Sequence, residues 1–158
     1  MFRKIWAFFK PKVKRNVLTL NAAVSGIDVT LGIDEASGSS FNELTGQRST
    51  VLSRTIDKAD ATNKDSNNWE ESVPIIRHWS ISCSGVLDDE ADLAYVDLES
   101  AYHAAGAAVA QVEARVTMPS GTTYTGTANI DSLDVDGPHD GVMTYSVELS
   151  GVGVLTKA

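Results

Sequence analysis

Residues 75–106 read IIRHWSISCSGVLDDEADLAYVDLESAYHAAG, and their apolar period changes halfway along. In the first half Ile75, Trp79, Ile81, Cys83 and Leu87 fall on one side, with His78, Ser80, Ser82 and Ser84 on the other. That alternation is the signature of a half-buried strand. From Asp88 the step lengthens: Ala91, Ala94, Leu98, Ala101 and Ala105 recur every three or four residues. This predicts a helix N-capped by Asp88 or Asp89, acidic in its first turn and stopped at Gly106. Leu93, Tyr95 and Tyr102 broaden its apolar surface, so it can cover a sheet.

Outward from this stretch the period is again two. On the N-terminal side Leu18 and Leu20 alternate, and Ile27, Val29, Leu31 and Ile33 face one way with Asp28 and Thr30 opposite. Residues 34–47 form a polar loop with Phe41 and Leu44 as anchors, and Gln47 to Ile56 forms a further strand. Asp57 to Glu71, DKADATNKDSNNWEE, is too polar for a core and is expected to be an exposed excursion. On the C-terminal side Ala110, Val112, Ala114, Val116 and Met118 alternate with Gln111, Glu113, Arg115 and Thr117. Pro119-Ser120-Gly121 then turns the chain into a hairpin. Tyr124, Gly126, Ala128 and Ile130 continue the pattern until the phase shifts at Leu133 and Val135, which predicts a bulge near Asp131 and Ser132. After the turn Gly137-Pro138-His139-Asp140-Gly141, Met143, Tyr145, Val147 and Leu149 mark the last strand, which runs into the small residues Gly151 to Leu155. Two antiparallel hairpins flanking one helix make the fold class α+β, an antiparallel β-sandwich or partly closed barrel.

The chain has 158 residues, 42% hydrophobic and 22% charged, enough for one domain with a real core. Its single cysteine, Cys83, excludes an internal disulfide and reads as a small buried hydrophobe. Charge is uneven. Residues 1–17 hold Arg3, Lys4, Lys10, Lys12, Lys14 and Arg15 and no acid, leaving seven basic against twenty-one acidic residues and a formal −14 for the remainder. The expected organisation is a basic, aromatic arm over residues 1–17 and a β domain over 18–158. The arm's apolar run, Ile5 to Phe9, is too short for a signal-peptide core or a bilayer span. Phe2, Ile5, Trp6 and Phe9 share one face of a short helix ended by Pro11, suited to packing on a neighbouring subunit. A membrane-surface segment is the alternative, and no stable membrane association is expected.

Nothing in the sequence calls for catalysis. His78 faces outward beside serines, His103 sits four residues after Glu99 on the helix, and His139 lies in a turn. Asp88, Asp89, Glu90 and Asp92 lack the alternating ligand spacing of a calcium loop. There is no HExxH, CxxC, nucleophile elbow or phosphate loop, so no catalytic residue, metal or cofactor is expected. An acidic body also disfavours tight binding to a phosphate backbone.

From Gly46 to Leu87 the chain resembles the major tail tube proteins of long-tailed bacteriophages. The features are Gln47-Arg48-Ser49, Ile56-Asp57, Ala61-Thr62-Asn63-Lys64-Asp65, Asn68-Trp69-Glu70-Glu71, and Trp79-Ser80-Ile81-Ser82 with Gly85 before the acidic helix start. Tyr124-Thr125-Gly126 after Gly121, and Tyr145-Ser146-Val147-Glu148-Leu149-Ser150-Gly151 leading to Gly153, Leu155 and Thr156, continue it. The resemblance covers about residues 18–156, and the arm is longer and more hydrophobic than that family leads one to expect.

The resemblance implies a virion structural protein of the tail, not an enzyme. Such subunits form hexameric rings whose sheets close one inner barrel, stacked around a tape measure protein and bounded by tail terminator and distal tail proteins. The tube conducts double-stranded DNA, which passes without specific contacts. Open sheet edges agree with this, because ring closure pairs them across subunits. Expected inter-subunit or inter-ring residues are Phe2, Trp6, Phe9, Asp57, Thr62, Trp69, Glu70, His139 and Asp140. Expected lumen residues are Glu113, Asp131, Asp134, Asp136 and Glu148, because an acidic wall withholds the cationic contacts that would retard DNA. The alternatives are an Hcp-like secretion tube or the tube of a phage-derived particle, and a β-rich adhesion or peptide-binding module.

Overall fold

The computed structural model describes residues 25–34, 40–67, 69–88, 92–104 and 110–158. The strands are β1 (Thr30–Asp34), β2 (Asn42–Glu43), β3 (Gln47–Asp60), β4 (Ser72–Val86), β5 (Gln111–Thr117), β6 (Thr123–Asp136) and β7 (Thr144–Lys157). One helix, α1 (Leu93–His103), lies between β4 and β5 in sequence. All seven strands join a single antiparallel sheet in the order β2-β1-β5-β6-β7-β4-β3. The described residues are therefore mostly antiparallel β with one α-helix, as expected, but they form one open sheet.

Alternation places one face of that sheet in the core. Leu31 and Ile33 of β1, Ile81 and Cys83 of β4, Val112, Ala114 and Val116 of β5, and Tyr145, Val147 and Leu149 of β7 are buried. Helix α1 covers this face with Ala94, Tyr95, Leu98 and Ala101. Gln47, at the start of the far edge strand, reaches back to β1. Its Oε1 accepts from the Leu31 N–H at 2.9 Å and its Nε2 donates to the Leu31 carbonyl at 3.0 Å. One side chain thus satisfies the Leu31 N–H that the two-residue β2 leaves uncovered and shares the carbonyl with the Leu44 N–H, and it links β3 back to β1. The thiol of Cys83 and the hydroxyl of Tyr145 are both held protonated to higher pH than usual, chiefly by burial.

The bulge expected near Asp131 and Ser132 is present: the register of β6 against β7 shifts between Ile130 and Ser132. Other expectations are corrected. Ile27 is 84% exposed, because Gly26–Asp28 form a 3-10 turn capped by the Ser25 hydroxyl and β1 begins only at Thr30. Ile75 is 62% exposed rather than in the core, because β4 pairs with β7 only from Ser80 to Val86 and its first half leaves the sheet. Met143 lies before β7 and is exposed. The excursion from Asp57 is not irregular throughout, since Asp57, Lys58, Ala59 and Asp60 pair with Ile76, Pro74, Val73 and Ser72. The helix also starts later than expected. Its N-cap is Asp92, not Asp88 or Asp89, its first turn carries no acid, and Leu93 and Tyr102 are exposed. Leu18, Leu20, Asp89, Glu90, Ala91, Ala105 and Gly106 lie outside the described residues.

Asp92 wins the cap because it binds in two directions. One carboxylate oxygen accepts from the Tyr95 N–H at 3.1 Å, closing the first turn. The other accepts from the Thr45 N–H at 2.9 Å and the Thr45 hydroxyl at 3.1 Å, tying the helix to the connection between β2 and β3. The residue is 2% exposed, so alanine would strand these donors away from water. Asp92→Ala is expected to cost ~3 kcal/mol in a urea melt, and Asp92→Asn, which keeps a cap acceptor, clearly less. Equal losses for the two would contradict the capping account.

Candidate functional site

The sheet face turned away from α1 is polar and carries the acids singled out in the sequence. Glu113 lies on β5 opposite Thr127 of β6, whose hydroxyl donates to it at 2.5 Å. Beside that pair, Gln111 donates to Asn129 at 3.0 Å. Asp131 occupies the β6 bulge and accepts from the Ser150 hydroxyl of β7 at 2.8 Å. Glu148, Asp134 and Asp136 follow by register, opposite Ser132, Ser146 and Thr144. All five candidate lumen residues therefore share one face, with Ser80, Ser82 and Ser84 of β4 continuing it. Short hydroxyl side chains leave the carboxylates standing as its dominant charges.

Four arginines divide between the faces. Arg115 joins the acids' side and stacks over Phe41, its guanidinium carbon 4.3 Å from the ring centre. Arg48 stands at the β3 bulge, between the Gln47–Gly85 and Ser49–Ser84 pairs, and lines a cleft with Asp134 and Asp136. Arg54 and Arg77 pair across the strands with Trp79 and Ile56, on the side of the sheet that holds the core.

The second feature is the hairpin of β3 and β4. Among the described residues no third strand pairs with it beyond Trp79, and it carries Ile56, Val73, Ile75 and Ile76 at about half exposure or more. Residues 61–67 and 69–71 close it with their own hydrogen bonds. The Thr62 N–H and the carboxylate of Asp60 meet at 2.8 Å, and hydrogen bonds from Thr62 lower the Asp60 pKa. The Thr62 hydroxyl accepts from the Glu71 N–H at 3.0 Å, and Ser66 sits buried in the turn. Trp69 is 78% exposed and does not fold back on the core, with Glu70 exposed beside it. Asp57 meets His78 across the strands at 2.8 Å, both exposed.

The third group is separate. His139 and Asp140 form the tip of the β6–β7 turn, 3.8 Å apart and almost fully exposed. The candidates thus do not converge on one site. The structure distributes them over a polar face, a projecting hairpin and a turn. Phe2, Trp6 and Phe9 lie outside the described residues. Sequence reasoning missed the apolar surface of the β3–β4 hairpin. The adjacent pair Ile75-Ile76 was the available signal, since one of two neighbouring strand residues must face away from any single core. Among the described residues no three His, Cys, Asp or Glu side chains are grouped to hold a metal, and no helix is long and apolar enough to cross a membrane.

No curated protein matches the sequence. Solved structures do. A chain in the tail of an empty gene transfer agent particle, refined with C6 helical symmetry, is 26% identical with a TM-score of 0.74, over 86% of this chain and 99% of that one. A chain in the virion of a native gene transfer agent particle gives 25% identity and a TM-score of 0.70, with the same coverage. The SPP1 tail tube shares the fold at 17% identity and a TM-score of 0.64, over 85% of this chain and 78% of that one. Residues 23–157 match the phage tail tube proteins, and with the open sheet, single helix and projecting hairpin described above, the chain belongs to that family of structural tail proteins.

Proposed function

We propose that this chain is the repeating subunit of a tail tube, assembled as hexameric rings that stack around a tape measure protein and later conduct double-stranded DNA. The observation that carries this reading is the two-sided sheet. One face holds the core and is partly covered by α1, and the other is a continuous polar surface on which Glu113, Asp131, Asp134, Asp136 and Glu148 stand together. In a ring that face becomes the wall of the channel. Carboxylates there repel phosphates over about 8 Å at physiological salt, enough to keep a duplex from adhering to the wall. The two edges, β2 and β3, hold unpaired backbone groups that neighbouring subunits satisfy.

The projecting hairpin supplies contacts between copies, with Trp69 as its aromatic anchor and Asp57, Thr62 and Glu70 around it. The basic arm of residues 1–17 docks on an acidic neighbour. Tail terminator and distal tail proteins cap the two ends. The subunit belongs to the virion tail and is built in the host cytoplasm. A second reading, the tube of a phage-derived particle, draws on the likeness to the gene transfer agent tail and uses the same assembly on different cargo.

Negative-stain microscopy of purified protein tests the assignment. Rings and tubes of uniform width are expected, and persistent monomers would overturn it. In a map of the tube, Glu113 and Glu148 are expected at the channel wall. A wall lined instead by Arg48 and Arg115 would refute the electrostatic part alone.

A further inference from the structure

Three of the body's few cations gather in one place. A groove of about 760 Å³ lies where the β3–β4 hairpin leaves the sheet, lined by Arg54, Ile56, Ile75, Arg77, Val154 and Lys157 among others, none of them acidic. Its three charges are nearly half of the seven lysines and arginines after residue 17. Arg54 is fixed over the Tyr124 ring, 4.9 Å from its centre. Ile75 and Val154 stand 62% and 81% exposed, apolar surface that an isolated chain leaves in water. Asp57, next to Ile56 on the hairpin, is hydrogen-bonded to His78.

The opposite end of the same strands has the complementary character. From Val116 to Thr156 there is no lysine or arginine, and the β6–β7 turn presents Asp136 and Asp140 beside Val142 and Met143, which are 59% and 44% exposed. Arg48 offsets part of the charge near Asp136, but Asp140 stands free of it at the tip. Lys157 pairs with Tyr124 at one end of the β6–β7 ladder and Thr144 with Asp136 at the other. Strand rise puts the two ends roughly 40 Å apart.

We propose that the acidic β6–β7 turn of one copy seats in the basic groove of a copy in the adjacent ring. The inference rests on the tube reading and names the surfaces that stack. Because the two surfaces differ and lie at opposite ends, the contact is heterologous and repeats without closing, which a filament needs. Opposite charges also set its polarity, since two like ends brought together repel.

Two reversed variants test it, Arg54→Glu with Arg77→Glu, and Asp136→Lys with Asp140→Lys. Each alone is expected to form rings but about tenfold fewer tubes at low ionic strength. Preformed rings of the two variants, mixed in equal amounts, are expected to stack, because each variant's reversed end then meets an opposite one. Misfolded rings would not rescue each other. If either pair fails to fold, Lys157→Glu and Asp140→Lys, both at exposed positions, carry the same test. Tubes built normally by either variant alone, or folded variants whose mixture stays as separate rings, overturn the contact. Wild-type protein that never forms rings overturns the tube reading itself, a distinguishable result.

Discussion

Trp79→Ala is expected to lower the thermal midpoint by roughly 10–15 °C, from a loss of about 3–5 kcal/mol. Trp79 is 6% exposed and is the last core residue of β4 before the hairpin leaves the sheet. Its indole lies directly on two glycines. A methyl group at Gly126 would stand 2.8 Å from the ring, and one at Gly151 would overlap it. The indole N–H also donates to the Gly153 carbonyl at 3.2 Å. Glycines have no side chains with which to fill the space the ring vacates, so the cavity persists and the loss lies high in its range. The same geometry predicts that the two positions are coupled. Gly151→Ala is destabilising with the tryptophan present and close to neutral in the Trp79→Ala background, a coupling that a double-mutant cycle reads directly. A midpoint shift below about 3 °C for Trp79→Ala would sink this account of the junction.

Much of the sheet was legible because alternation is a local signal. The buried rows of β4, β5 and β7 follow the period of two, and the β6 bulge announced itself as a change of phase. What the sequence hid depended on contacts distant along the chain. Asp88, Asp89 and Asp92 are equivalent as local caps, and Asp92 is selected by Thr45, far away in sequence. The bond from the Leu31 N–H to Gln47, sixteen residues on, is likewise invisible to a local pattern. Ile75 continues the correct alternation for the core face, yet β4 has left the core by then, and alternation does not report where a neighbouring strand stops. The acids of the polar face were legible individually. Their gathering on one surface depended on the register of β5, β6 and β7, which only the folded sheet supplies.

Removing the hairpin is expected to abolish tubes while leaving the domain folded. Ile56 and Arg77 face each other across β3 and β4, so joining them through Asn-Gly replaces residues 57–76 with a tight two-residue turn that suits the strand twist. Every residue of the buried core lies outside the deleted segment. The hairpin's own pairs are two-stranded and exposed, and a lone two-stranded ribbon contributes little independent stability. The truncated chain is therefore expected to melt within a few degrees of the parent, roughly the scale of a 1 kcal/mol change. Assembly should fare differently. The deletion removes Trp69, Val73, Ile75 and Ile76, four of the apolar residues left in water by the monomer, and with them part of the groove wall beside Arg77. Contact energy concentrates in such aromatic and aliphatic anchors, so their loss is expected to reduce tube yield below detection in micrographs and in sedimentation. Trp69→Ala alone should give a milder form of the same defect, shorter tubes at unchanged monomer stability. Tubes of normal length from the truncated chain would show that the hairpin is not an assembly element, and that sheet-edge pairing alone holds the copies together.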